Sequence, residues 1–316
     1  SATIGAISIP EMKKRGYDDS LSTASVAAGG ILGVLIPPSV LFIIYGISTE
    51  QSIGKLFIAG IVPGILLTIL FMIAIAIQVY RRPSLAPRGE RFSWSERWAA
   101  LKSGGLLEVI LVFGLSLGGL FLGWFTPTEA GAVGVAGMLI ITLLTRQLSW
   151  TGLKNSLYDT TRTIAMIMFL VVGAVIFGRF ISITRIPFEL ATWVGDLPFP
   201  PFVIMAFILF IYLILGFFID ALAMILLTIP IFYPVVTQEL GYDPIWFGVI
   251  IVLVAGMGVI TPPVGINVYV IKGVAKNVPL EVIFRGIWPF LYAIIVLLIL
   301  FVAFPEIVTW LPSLIK

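Results

Sequence analysis

Long apolar runs recur along this chain, at 56–80, 106–124, 130–145, 164–177 and 282–304. Each is long enough, alone or nearly so, to cross a hydrocarbon core about 30 Å thick. Hydrophobic residues make up 59% of the 316 and charged ones 11%, whereas a soluble domain is about a quarter charged. A water-soluble fold has nowhere to put that much apolar side chain. The sequence therefore predicts an all-α polytopic membrane protein, seated in a lipid bilayer.

The net charge of +3 does not point to nucleic acid, because the basic residues fall in loops between the apolar runs. The chain has no His and no Cys, which removes disulfides, thiolate clusters, haem held by His and imidazole acid–base chemistry. An intramembrane enzyme needs a nucleophile or paired acids at membrane depth, and only one acid, Asp220, is placed there. No organic cofactor is expected.

A long-range repeat organises the chain. Arg15-Gly16-Tyr17-Asp18 matches Leu240-Gly241-Tyr242-Asp243, 225 residues on. Gly33-Val34-Leu35-Ile36-Pro37-Pro38 matches Gly258-Val259-Ile260-Thr261-Pro262-Pro263 at the same offset, and Gly60-Ile61-Val62-Pro63 matches Gly286-Ile287-Trp288-Pro289 at 226. The second copy has a long apolar stretch before its matched part and the first copy has almost none, so the chain, which opens at Ser1, is expected to be a fragment truncated at its N-terminal side.

Charge orients the two copies. Lys13-Lys14-Arg15 precedes the first Gly-Tyr-Asp turn and Gln238-Glu239-Leu240 the second, so the positive-inside rule puts the first turn in the cytoplasm and the second outside. Threading the chain accordingly makes Lys13, Lys14, Arg15, the basic residues of 81–102, Arg146, Lys154, Arg162, Lys272, Lys276 and Arg285 cytoplasmic. Only Lys55, Arg179, Arg185 and Lys316 fall outside. Inverted-topology repeats are an architecture of secondary transporters, with sites where the repeats meet.

The matched Pro-Pro pairs, Pro37-Pro38 and Pro262-Pro263, sit in the middle of apolar segments. Proline lacks an N–H and pushes its predecessor out of the α region, so each pair breaks a helix and frees carbonyls. In lipid, free backbone groups persist only where protein or a polar cavity satisfies them. Interrupted helices at corresponding places in two halves point to a binding site. Ser39 in the first copy, and Thr261 and Asn267 in the second, add neutral oxygens. Such an all-oxygen, uncharged set suits a hard monovalent cation such as Na⁺.

Residues 200–236 are apolar but interrupted at 216–220. With Gly241 outside and Arg162 inside, this stretch must enter the membrane and return, a re-entrant hairpin with its tip near Asp220. An acid at membrane depth is a functional candidate, and Asp220 also reads as the N-cap of a helix from Ala221. Thr228, eight residues on, aligns with Thr3. Trp94, Trp98 and Leu101 give an interfacial amphipathic run. Trp124, Trp193, Trp246, Trp288 and Trp310 are placed as boundary anchors, and Pro127 with Thr128 and Glu129 as a helix start.

At Ile9–Asp18 (IPEMKKRGYD), Ala27–Gly46 (AAGGILGVLIPPSVLFIIYG), Phe125–Ala132 (FTPTEAGA) and Gly258–Gly273 (GVITPPVGINVYVIKG) the chain resembles the large membrane subunit of tripartite ATP-independent periplasmic (TRAP) transporters. The resemblance spans almost the whole chain in order. It implies an elevator-type transporter in the bacterial inner membrane, with Na⁺ as coupling ion, a small organic acid such as a carboxylate as substrate, a small membrane subunit, and a periplasmic binding protein that delivers the substrate. It implies ion binding at Gly33, Ser39, Asp220, Thr228, Gly258, Thr261 and Asn267, with Pro37, Pro38, Pro262 and Pro263 as breaks lining the substrate site. The implied division is 1–49 (end of the first hairpin and first broken helix) and 200–280 (second hairpin and second broken helix) as transport domain. Residues 50–199 and 281–316 are then scaffold. The same fold without partners, a stand-alone ion-coupled anion transporter of elevator type, is the alternative.

Overall fold

In the computed structural model, which describes residues 1–87, 89, 93–103 and 106–314, the first Gly-Tyr-Asp motif joins helices α1 (Ala2–Lys14) and α2 (Asp19–Leu35). Gly16 takes φ 77°, a left-handed conformation that glycine adopts without a Cβ penalty. Asp18 then accepts a hydrogen bond from Ser20 N at 2.8 Å and starts the next helix. At the first Pro-Pro pair the chain turns extended at Ile36, and Ser39 caps α3 (Val40–Thr49). Ser52 caps α4 (Ile53–Arg81), which contains Pro63.

The chain divides into two compact units, Ser1–Pro87 with Ala174–Lys316, and Arg88–Gly173. The second unit holds α5 (Trp94–Ser103), α6 (Leu106–Phe121), α7 (Pro127–Leu144) and most of α8 (Trp150–Ile183). Helices α6 and α7 pack antiparallel: Ser116 donates to Ala130 O at 2.6 Å, and Gly137 leaves room for Val112. Thr126 and Glu129 form a reciprocal capping box at the start of α7, a structural role for that acid. Leu111, Leu115, Val135 and Leu143 are exposed, as side chains facing lipid would be.

Back in the first unit, α9 (Ile186–Gly195) leads to α10 (Pro201–Gly216) and α11 (Ala221–Pro234), followed by a π-helical turn, Val235–Glu239. The second Gly-Tyr-Asp motif repeats the first turn: Gly241 has φ 71°, and Asp243 accepts from Trp246 N at 2.8 Å. Then come α12 (Pro244–Gly258), α13 (Ile266–Val274), α14 (Leu280–Ala303) with Pro289 inside, and α15 (Glu306–Ser313).

Contacts between the copies fix their relative sense. Tyr45, late in α3, donates to Pro244 O at the start of α12 (2.6 Å), and Gln51 donates to the Tyr233 hydroxyl near the end of α11 (3.1 Å). The end of the first broken helix therefore lies beside the start of the second. At the opposite end Gly286, early in α14, lies against Ser20 and Ala24 of α2. Packing partners exchange accordingly: α2 lies on α14 as α12 lies on α4, and α3 lies on α11 as α13 lies on α1. The repeat is inverted, as charge predicts. Helices α4 and α14, in segments assigned above to scaffold, pack within the same unit as both broken helices.

Six helical segments among the described residues are long and apolar enough to cross a membrane: Asp19–Thr49, Ile53–Arg81, Pro127–Leu144, Trp150–Ile183, Ala221–Glu239 and Leu280–Ala303. One boundary assignment is corrected. Trp246 is fully buried and donates from Nε1 to Phe301 O at 2.9 Å, a carbonyl whose helical partner would be Pro305, which has no N–H. It is a core residue, while Trp124, Trp193, Trp288 and Trp310 are exposed. Arg88, Arg91, Lys316 and the side chains of Leu101 and Lys102 lie outside the described residues.

Candidate functional site

A proline pair at i and i+1 takes the helical donors from the carbonyls of i−4 and i−3. In the first copy these carbonyls belong to Gly33 and Val34. Among the described residues no N–H or O–H reaches either of them; the last bond of α2 is Ile36 N to Leu32 O at 2.8 Å. In the second copy the equivalents are Gly258 and Val259, and both are re-bonded. Thr261 N reaches Gly258 O at 3.2 Å, and Asn267 N reaches Val259 O at 2.9 Å. Gly265 permits the second arrangement, since its φ of 55° lets the loop fold back before α13 begins. Both Pro-Pro peptide bonds are cis.

The named side chains divide between these breaks. Ser39 is buried, and its hydroxyl accepts from Phe42 N at 3.4 Å, a long capping contact. Pro37 is buried and Pro38 exposed; Pro262 is half-buried and Pro263 exposed. Thr261 donates back to Met257 O at 2.6 Å, so its own proton stays within α12. The Asn267 side chain points away from the second break that its backbone closes. Its amide donates to Ala27 O of α2 at 3.4 Å, and a Cβ on Gly30 would fall 2.7 Å from Asn267 Nδ2. The second break thus touches the first broken helix about two turns before its own break.

The hairpin tip reaches the second break. A Cβ on Gly258 would fall 2.6 Å from Gly216 O at the end of α10, so the backbones cross in contact. Since α12 starts on the side where the hairpin ends, with only 240–243 between them, and breaks off at this contact, the hairpin turns back partway through the same layer. Asp220 follows four residues later; its carboxylate accepts from Leu222 N at 2.9 Å and caps α11, with the side chain exposed. Thr228 lies two turns down α11, buried, and its hydroxyl contacts Met224 O and the Tyr212 hydroxyl, each at 2.7 Å. Gly258 thus meets the hairpin four residues before Asp220, with Thr261 three residues further along its own chain; the Asn267 side chain touches the first broken helix before its break, Ser39 follows that break, and Thr228 is bonded within the hairpin.

Sequence reasoning named Gly216 only as the start of the hairpin's interruption and did not single out Gly30 or Tyr212. Tyr212 carried a signal: it is the one hydroxyl in α10, whose other residues are apolar.

Inverted repeats, paired breaks inside the apolar layer and a re-entrant hairpin aimed at one of them define a secondary transporter of the broken-helix class. Residues 1–307 match the family described as "Tripartite ATP-independent periplasmic transporter, DctM component", and the chain belongs to that family. It is 36% identical to the C4-dicarboxylate TRAP transporter large permease protein DctM of Pseudomonas aeruginosa, over 99% of this chain and 72% of that protein. It is 34% identical to the sialic acid TRAP transporter large permease protein SiaM of Vibrio cholerae, over 98% and 72%. With the isethionate TRAP transporter permease protein DctMQ of Oleidesulfovibrio alaskensis it shares 35% identity, over 97% of this chain and 48% of that one. The protein is an inner-membrane transport component and not an enzyme.

Proposed function

We propose that the chain is the translocating part of an importer that couples inward movement of Na⁺ to that of a small organic anion, a carboxylate in the first instance. A small membrane subunit and a periplasmic binding protein complete the transporter in this reading. The observation that carries the ion assignment is the pair of carbonyls at Gly33 and Val34, stripped of donors by Pro37 and Pro38 inside an apolar layer. Bare carbonyls there need a partner, and a monovalent cation is one that requires no charged ligand. Ser39 follows the first break and the Asn267 side chain reaches the broken helix before it, while Asp220, Gly258 and Thr261 around the hairpin tip offer a second ion position. The relatives' substrates, C4-dicarboxylate, sialic acid and isethionate, share small size and negative charge, which supports an anionic cargo held by helix ends and backbone N–H groups.

In this reading an elevator-like displacement carries the hairpin and both broken helices. We place α4 and α14 with the moving body. A Cβ on Gly60 would fall 2.6 Å from Leu35 O, and Gly286 lies against the Ser20 backbone; surfaces interlocked at backbone distance do not slide past each other.

Uptake of a labelled organic-acid panel into proteoliposomes, using the full-length protein with its small subunit and an imposed Na⁺ gradient, tests this. Accumulation should require both Na⁺ and the binding protein encoded beside it. Accumulation without the binding protein would instead establish the stand-alone transporter, and accumulation indifferent to Na⁺ would remove the ion assignment.

A further inference from the structure

Proton accounting orients the Tyr212–Thr228 contact. Thr228 has a single hydroxyl proton, and Met224 O, 2.7 Å away, can only accept. The proton between the two hydroxyls is therefore the phenol's, since a buried Tyr212 O–H would otherwise have no acceptor. One arm of the hairpin donates and the other accepts, through groups that are both enclosed.

The hairpin needs such a tie. Pro230 and Pro234 remove helical donors just beyond Thr228, and the π-helical turn follows at once, so α11 is weakly self-supported there. Tyr212 stands one turn before Gly216, the residue whose backbone meets Gly258. Its ring also lies edge-on to Phe247 of α12 (6.3 Å between centroids) and against Phe232 of α11 (5.5 Å). The phenol thus joins three helices below the crossing of tip and break, its α12 partner Phe247 lying about three turns before Gly258.

We infer that Tyr212 is a positioning residue for cation binding: its hydroxyl, through Thr228, fixes the relative height of the two arms and so holds the tip against the second break. This rests on the Na⁺ reading above. Tyr212→Phe keeps the ring and its packing and removes only the donor, loosening the arms that hold the tip on the second break. The ion position at the tip then loses affinity, while the transport step at saturating Na⁺ is retained.

The test is Na⁺-dependent uptake by the full-length transporter together with labelling of a single thiol at the tip. Tyr212→Phe should raise the half-saturating Na⁺ concentration about three- to tenfold, with the maximal rate within about twofold. Thr228→Val should do the same, the double variant should be no worse than either single, and Thr228→Ser should retain parental behaviour. Phe218, exposed at the tip, takes the probe as Phe218→Cys, these 316 residues having no other Cys. Its maleimide labelling should be faster in the Tyr212→Phe background. Unchanged Na⁺ half-saturation and unchanged labelling in Tyr212→Phe would overturn the proposal, as would additive losses in the double variant. If the parent's uptake ignores Na⁺, the coupling reading falls and the labelling rate alone decides whether the phenol holds the tip. If Tyr212→Phe does not fold, Thr228→Val against Thr228→Ser decides by the same readouts.

Discussion

Helices α2 and α12 end at matching places in the repeat and are left in different conditions there. The two share a Gly-Val-x-x-Pro-Pro break at the same place in the repeat, and the prolines strip the same pair of carbonyls. In the second copy a longer loop with Gly265 in the left-handed region brings Asn267 N back onto Val259 O. In the first the chain passes directly into α3 under a Ser39 cap, and Gly33 O and Val34 O stay bare. A Pro-Pro pair therefore dictates where a membrane helix opens but not whether the opening is filled. One break is closed by its own backbone, and the other presents acceptors.

The largest expected difference lies at the matched glycines. A Cβ on Gly258 would meet the backbone of Gly216 at 2.6 Å from its oxygen, and a Cβ on Gly33 meets nothing within 4 Å. Backbone cannot move aside as a flexible side chain does. Gly258→Ala should lower the melting temperature of this chain in detergent by roughly 3–8 °C, as overpacking does, and Gly33→Ala should leave it within about 1 °C. Equal costs would break the comparison. A cost at Gly33 that appears only in a longer chain would sharpen it, by marking a second hairpin tip seated on the first break.

Next in size is the effect of restoring donors. Pro37→Ala and Pro38→Ala return N–H groups to Gly33 O and Val34 O, so the first break should bind Na⁺ at least about tenfold more weakly, read as half-saturation of uptake. Pro262→Ala and Pro263→Ala return donors to carbonyls already bonded, and should change half-saturation by about twofold or less. The reverse order would move the principal ion position to the second break.

That asymmetry also marks the limit of what was legible in the sequence. The apolar runs, the Gly-Tyr-Asp turns with glycine stop and aspartate cap, the breaks and the inverted sense follow from local chemistry or loop charge, and the structure has all of them. The filling of the second break was not legible, because it depends on the conformation of one glycine seven residues past Gly258. Trp246 was misplaced as a boundary anchor because its partner, Phe301 O, lies 55 residues away. For Asp220 the sequence offered a cap and an ion ligand together; the cap bond is present, and the ligand role waits on the uptake measurements. Contacts chosen by long-range neighbours carry no periodic signature.

The smallest effect is expected at the turns, where the copies differ in charge and agree in backbone. At the first turn Lys14 pairs with Glu11 at 2.7 Å and Lys13 with Asp19 at 3.2 Å, all exposed; among the described residues no ion pair forms at Gln238 or Glu239. The hydrogen bond from Lys14 and its charge hold the Glu11 carboxyl below its ordinary value of 4.5. A carboxyl held low in the folded chain contributes stability that is present above that ordinary value and disappears as pH falls through the folded one. Exposure and salt screen the contribution heavily. Glu11→Gln should therefore lower the melting temperature by under about 1 °C at pH 7, and the difference should vanish in acid below the carboxyl's range and in about 1 M salt. A loss of several degrees would mean that the first turn depends on its charges for folding, unlike the second. If the loss is as small as expected, the two Gly-Tyr-Asp turns are held by the same glycine and the same aspartate. The lysines and arginine of the first then serve to decide which side of the membrane it faces.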